Sequence, residues 1–147
     1  MAEHPSNGFK LNTRISENLQ WVERYLRRAK VHMPSLSLPK QIRSYRPHLS
    51  KEQRVWGTCA IDTKIITLMT HRAVVSQNGG RRPKKKHLAI PQREMLMTLA
   101  HELSHLRFEA HNYEQESYAR TIFTAFGVKD KCAHCSGSGR VLARYVN

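Results

Sequence analysis

The stretch from 95 to 113, MLMTLAHELSHLRFEAHNY, constrains this chain more than any other. It holds His101-Glu102-Leu103-Ser104-His105 and, six residues on, His111. On a helix, two histidines four apart stand one turn above each other, so both imidazoles reach one divalent ion. Zinc suits such a nitrogen pair best. Glu102 lies roughly 100° round the helix from His101, where it faces the ion's solvent side without ligating it, the place of a general base. The remaining positions support the helix. Leu96, Leu99, Leu103 and Leu106 project as one arc, and Glu94, Thr98, His101 and His105 fall on the other side. The expectation is an amphipathic helix from about Pro91, a favoured first-turn residue, to about Arg107, with one face in a core and the other on a polar cleft. Continuing that helix to His111 would carry its ring roughly 120° away and about 9 Å up the axis. The chain must therefore turn between Leu106 and His111 for the third histidine to ligate, and Glu114 or Glu116 are the alternatives for that place.

Charge is the second strong signal. Among 147 residues, 25 Lys and Arg against 11 Asp and Glu leave a net charge of +14. Such an excess attracts polyanions, nucleic acid before membrane, since no basic amphipathic anchor is evident. The length suits one domain with a modest core. No apolar run is long enough to cross a bilayer, and the first thirty residues lack a secretory apolar segment. The expectation is an intracellular, cytoplasmic protein. Three cysteines make no disulfide framework, which agrees with a reducing compartment.

In chain order, residues 1–11 read as a flexible terminus. From Asn12 to Met33, the apolar residues Ile15, Leu19, Val22, Leu26, Ala29 and Met33 recur by four and three, a helical stripe ended by Pro34. Trp21 and Tyr25 flank it as core residues. Residues 35–45, with Pro39 among them, read as an edge strand. Residues 55–61 and 65–69, rich in β-branched side chains, read as two strands joined by a tight turn, and Cys59 as a small buried hydrophobe. Residues 69–75 suggest a short helix. The glycines and cations from Ser76 to Ile90 suggest a mobile loop, and its Arg81, Arg82, Lys84, Lys85 and Lys86 are the candidate nucleic-acid contacts. Ala119, Ile122, Phe123 and Phe126, closed by Gly127, outline a last helix that backs the metal helix. Glu109, Glu114 and Glu116 are candidate acceptors for the outer nitrogen of a ligating histidine. Tyr113, Tyr118 and His134 are the candidate oxyanion donors.

Trp56-Gly57-Thr58-Cys59, the strand at 65–69, then HELSHLR and His111, resemble the YgjP-like and WLM/SprT-like small zinc metallopeptidases over roughly residues 54–126. Where those families carry an aromatic about four residues beyond the third histidine, this chain has Gln115. The resemblance implies a compact α+β zincin-like (minigluzincin) core with a small antiparallel-type sheet on the HExxH helix. It further implies zinc (Zn²⁺) on His101, His105 and His111, and action on proteins associated with DNA. The domain would span residues 12–128. Beyond it, residues 129–147 form a tail in which Cys132 and Cys135, within a CxxCxGxG pattern, make half of a zinc knuckle and are candidate ligands for a second, structural ion. The reading from sequence is a zinc metallopeptidase with Glu102 as its base. Its alternatives are a basic nucleic-acid-binding or assembly protein with a non-catalytic zinc site, and a metal-dependent RNA nuclease. RNA-processing metalloproteins with this histidine spacing normally have glycine where Glu102 stands, which favours peptide hydrolysis.

Overall fold

The computed structural model describes residues 11–49, 56–76 and 84–128. Most of the N-terminal stretch, Arg81, Arg82 and the tail with Cys132 and Cys135 lie outside them. The fold is α+β: a mixed four-stranded sheet, a separate two-stranded ribbon and three α-helices.

The N-terminal stripe folds differently from expectation. A two-residue strand β1 (Arg14–Ile15) comes first, then a 3-10 turn over Glu17–Val22, and only then helix α1 (Glu23–His32). Ile15 is drawn from the helical stripe into a ladder with Ile42, whereas Leu19, Val22, Leu26 and Ala29 keep their inward phase and are buried. Strand β2 (Gln41–Tyr45) is internal, not an edge. It runs parallel to β1 on one side and to β4 (Ile65–Met69) on the other. Pro39 lies before the strand begins, so it removes no ladder donor.

Strand β3 (Gly57–Ala60) pairs antiparallel with β4 through the expected tight turn. The sheet order is β1-β2-β4-β3, which leaves β3 at one edge among the described residues. Two parallel pairs make the sheet mixed rather than antiparallel.

The expected short helix and mobile loop after Met69 are instead strands β5 (His71–Ser76) and β6 (Lys84–Ala89), paired antiparallel as a ribbon. Cross-strand hydrogen bonds override the weak local helix preference of THRAVV.

Helix α2 (Gln92–His105), with Pro91 at its N-cap, matches its predicted span closely, and helix α3 (Tyr113–Phe126) ends at Gly127, φ 69°, as predicted but begins six residues before Ala119. The side of α2 expected to face a polar cleft is largely enclosed: Thr98 and His105 are buried and Glu94 and His101 half-buried, and Glu102 and Ser104 are buried along with the leucines. The helix is covered by the sheet on one side and by α3 on another.

The contact between α2 and β3 is close because residue 57 is glycine. A Cβ there would stand 2.7 Å from Thr98 Cγ2, 3.1 Å from the Thr67 carbonyl oxygen and 3.4 Å from Glu102 Cγ. The threonine methyl is on a stiff β-branched side chain and the carbonyl belongs to the neighbouring strand, so neither yields cheaply. Gly57→Ala is expected to lower stability by about 1–3 kcal/mol in urea denaturation. Adding Thr98→Ser, which removes the obstructing methyl, should recover part of that loss.

Candidate metal centre

His101 and His105 project from successive turns of α2, and the chain then turns at Leu106 and Arg107 so that His111 comes back to meet them. The cluster is closed by two caps. The Arg107 and Phe108 N–H groups donate to the Ser104 carbonyl and so end the helix tightly. The Asn112 side chain accepts from the Gln115 N–H at 2.8 Å and starts α3 immediately after His111. Asn followed three residues later by Gln is a legible helix-start pattern, and it could have located α3 from the sequence.

The three rings converge through Nε2. His105 Nε2 lies 3.2 Å from His101 Nε2 and 3.2 Å from His111 Nε2. The ligating atoms of all three fall within 4.8 Å of one another. Two nitrogens about 2.0–2.1 Å from a tetrahedral zinc stand roughly 3.3 Å apart. The observed separations therefore fit one ion between the rings.

Tautomers agree with that fit. His105 Nδ1 is 2.9 Å from the Phe108 carbonyl oxygen, which can only accept, so Nδ1 carries the proton and the Nε2 lone pair is left for a metal. His105 is buried, His101 half-buried and His111 exposed, so the cluster opens to solvent on the His111 side. Without metal, burial first and then the neighbouring His105 and His111 push His101 down to about 4. Its imidazole is neutral at neutral pH, and a cation entering the site displaces no proton from it.

The outer partner of His101 is a residue the sequence reading missed. Gln115, fully buried on α3, places its amide nitrogen 2.6 Å from Ser104 Oγ and 3.4 Å from His101 Nδ1. Its Oε1 is buried with no hydrogen-bond partner. Nitrogen and oxygen of a glutamine amide exchange places by a 180° rotation. That rotation would set Oε1 against His101 Nδ1–H, as Nε2 ligation requires, with the Ser104 hydroxyl turning toward Oε1 from the His101 carbonyl oxygen to which it donates in this structure. Of the carboxylates expected in this role, Glu109 and Glu114 are exposed and Glu116 half-buried, and no hydrogen bond joins them to the cluster among the described residues. Gln115→Leu is expected to weaken zinc binding by about 10–100-fold, with Gln115→Glu retaining most of it, as measured by competition with a chromophoric chelator.

Glu102 follows His101 on α2 and is only 7% exposed. Its side chain runs against β3 beside Gly57, and burial pushes its carboxyl up to about 7. Cys59, on the same face of β3 as Gly57, is half-buried. Burial first and the Glu102 charge second raise its thiol to about 11, which makes it an inert neutral group, as expected of a small buried hydrophobe. Among the oxyanion candidates, Tyr118 packs edge-on against Phe108, 5.5 Å between centroids, beneath the Arg107 guanidinium. Tyr113, two residues past His111, is 77% exposed. His134 lies outside the described residues.

The class defined so far is an α+β fold with a three-histidine cluster able to hold a metal ion. Comparison with protein-family models, with curated proteins and with solved structures finds no match to the chain. No helix among the described residues is long and apolar enough to cross a membrane.

Proposed function

We propose that this chain is a zinc-dependent metallopeptidase of the small zincin type, in which His101, His105 and His111 hold the ion and Glu102 is the general base. The observation that carries the reading is the pair of 3.2 Å separations that His105 Nε2 makes with its two neighbours, one residue removed from a buried carboxylic acid. A zinc ion bound there would supply Lewis acidity, bringing the pKa of water toward neutrality and polarising a carbonyl.

The chain's own residues do the rest. The Phe108 carbonyl and the Gln115 amide orient two of the rings. Glu102, held between α2 and β3, takes a proton from the attacking water and returns it to the leaving amine nitrogen. Burial raises that carboxyl to about 7 in the metal-free chain, and a cation held by the three histidines would lower it again, leaving Glu102 ionised as a base must be. Strand β3 supports a peptide as substrate, since its outer edge is unpaired among the described residues and an extended chain can add to it by backbone hydrogen bonds. Proteins associated with nucleic acid are the substrate class that the charge of +14 favours.

The test is to incubate the protein with casein, with a mixed peptide library and with RNA, each with and without a chelator and after zinc is restored. Peptide cleavage that chelator abolishes and zinc restores is the expected result. Zinc-loaded protein that cuts RNA and leaves peptides whole is a nuclease. Protein that cuts nothing keeps the ion for its fold alone.

A further inference from the structure

We infer that His71 and His87, which meet across the β5–β6 ribbon, form a second metal site, one that takes a late first-row divalent ion through two imidazole nitrogens. The pairing sets His71 opposite Ala89 and His87 opposite Ala73. Strand alternation therefore puts both rings on one face as diagonal neighbours, each with only an alanine methyl directly across the ladder. Their centroids are 6.0 Å apart and their planes 70° apart. At the central cluster the His105 ring meets His101 at 4.8 Å and 79°, and His111 at 4.6 Å and 80°. Two rings on one tetrahedral zinc stand roughly 5 Å apart between centroids, given Zn–N bonds of about 2.0–2.1 Å. The ribbon pair is a similar arrangement opened by about 1 Å, which the soft χ2 torsion of a histidine takes up.

The outer nitrogens distinguish this pair from ordinary ring packing. His87 Nε2 lies 2.7 Å from the Pro47 carbonyl oxygen. A carbonyl only accepts, so Nε2 carries the proton and Nδ1 keeps its lone pair. His71 Nδ1 lies 2.8 Å from the Thr70 hydroxyl, which donates to the Tyr45 carbonyl oxygen at 3.4 Å and so accepts from the ring. Nε2 is then the free nitrogen of His71. One nitrogen of each ring is held by an oxygen and the other is left open, the same division that the Phe108 carbonyl imposes on His105.

The donor set selects the ion. From Thr63 to Arg93 the chain has no Asp or Glu, and among the described residues no third His, Cys, Asp or Glu joins the pair. Two neutral imidazoles with solvent completing the shell suit zinc, nickel or copper and not magnesium or calcium. Burial first, then Arg46 and His87, lower the pKa of His71, so its ring is neutral at neutral pH and binding displaces no proton from it. The Arg46 charge opposes a metal ion as it opposes a proton, and Lys85 is exposed on the same face, so this site is weaker than the central one. An ion held here clips β5 to β6 and, through Pro47, to the chain leaving β2.

The inference is independent of peptidase activity. Zinc is titrated into the whole protein, carrying isotope-labelled histidine, near neutral pH, and the ring-nitrogen chemical shifts of each histidine are followed by NMR. After the central cluster fills, further zinc is expected to move His71 Nε2 and His87 Nδ1 together, while His71 Nδ1 and His87 Nε2 stay protonated. His71→Ala and His87→Ala should each raise the zinc concentration needed at the remaining ring at least tenfold. The His71 variant leaves the bond from His87 to Pro47 in place, and unchanged signals from His101, His105 and His111 check that the fold survives. His32→Ala on α1 should alter the ribbon response less than twofold. The site is overturned if both ribbon rings stay still with zinc in about tenfold excess, if one ring moves without the other, or if either alanine variant leaves the response of the remaining ring unchanged. Ribbon signals that move while the central ones do not would uphold this site and count against the central one.

Discussion

Glu102→Gln is expected to reduce peptide cleavage by about 10²–10⁴-fold, the usual contribution of a positioned general base, while the protein stays folded and keeps its zinc. Glutamine preserves the shape that fits between α2 and β3 against Gly57 and removes only the ability to take and return a proton. In the metal-free protein the same substitution should act in the opposite direction on stability. Burial holds the Glu102 carboxyl at about 7 against an ordinary value of 4.5. The folded state therefore keeps a proton that the unfolded chain has already released, and stability falls as pH rises through that window. Above pH 7 the full cost applies, of order 3 kcal/mol. Metal-free Glu102→Gln should therefore resist urea better than the metal-free parent at pH 8, and the two should match near pH 4. A variant that cleaves as fast as the parent, zinc in place, removes Glu102 from the mechanism.

The second large effect concerns the metal itself. Structural zinc sites with four protein ligands contribute roughly 10–16 kcal/mol, about 3 kcal/mol for each ligand, and on that scale losing one histidine costs about a hundredfold in affinity. His101→Ala and His111→Ala should each show about that loss. His105→Ala should show more, because its Nε2 is the atom 3.2 Å from both others and its Nδ1 ties down the Phe108 turn. Metal analysis after dialysis should find one zinc per chain fewer in His105→Ala than in the parent, whatever the tail at 129–147 holds. The rise in melting temperature on adding zinc should disappear with it. Zinc retained in full by the His105 variant would place the ion elsewhere.

Much of this site could be seen before folding because it is local. Two histidines and a glutamate within five residues take their relative directions from helix geometry alone. The turn needed to return His111 follows from the same rotation and rise. The last helix was visible for a similar reason: its apolar spacing and Gly127 are both short-range signals. Strands were harder. THRAVV and KKKHLA each look like something else until they are paired with each other, and Ile15 belongs to a helical stripe until the main chain of Ile42 offers it a ladder. Gln115 shows the limit most clearly. Fourteen residues from His101, it has no periodic relation to that histidine, and the nearby carboxylates were the stronger expectation on chemical grounds. Only the packing of α3 on α2 brings its amide to His101 Nδ1, while Glu109 and Glu114 face solvent.

By itself, then, the sequence determined which groups could bind a metal, since their spacing is written in covalent order and helical pitch. Tertiary structure decided what surrounds them: the backbone carbonyl and the amide that orient the rings, the glycine that lets β3 close over Glu102, and the ribbon whose pairing brings His71 to His87. Those choices depend on contacts between segments far apart in the chain, whose free energy exists only once the core has assembled.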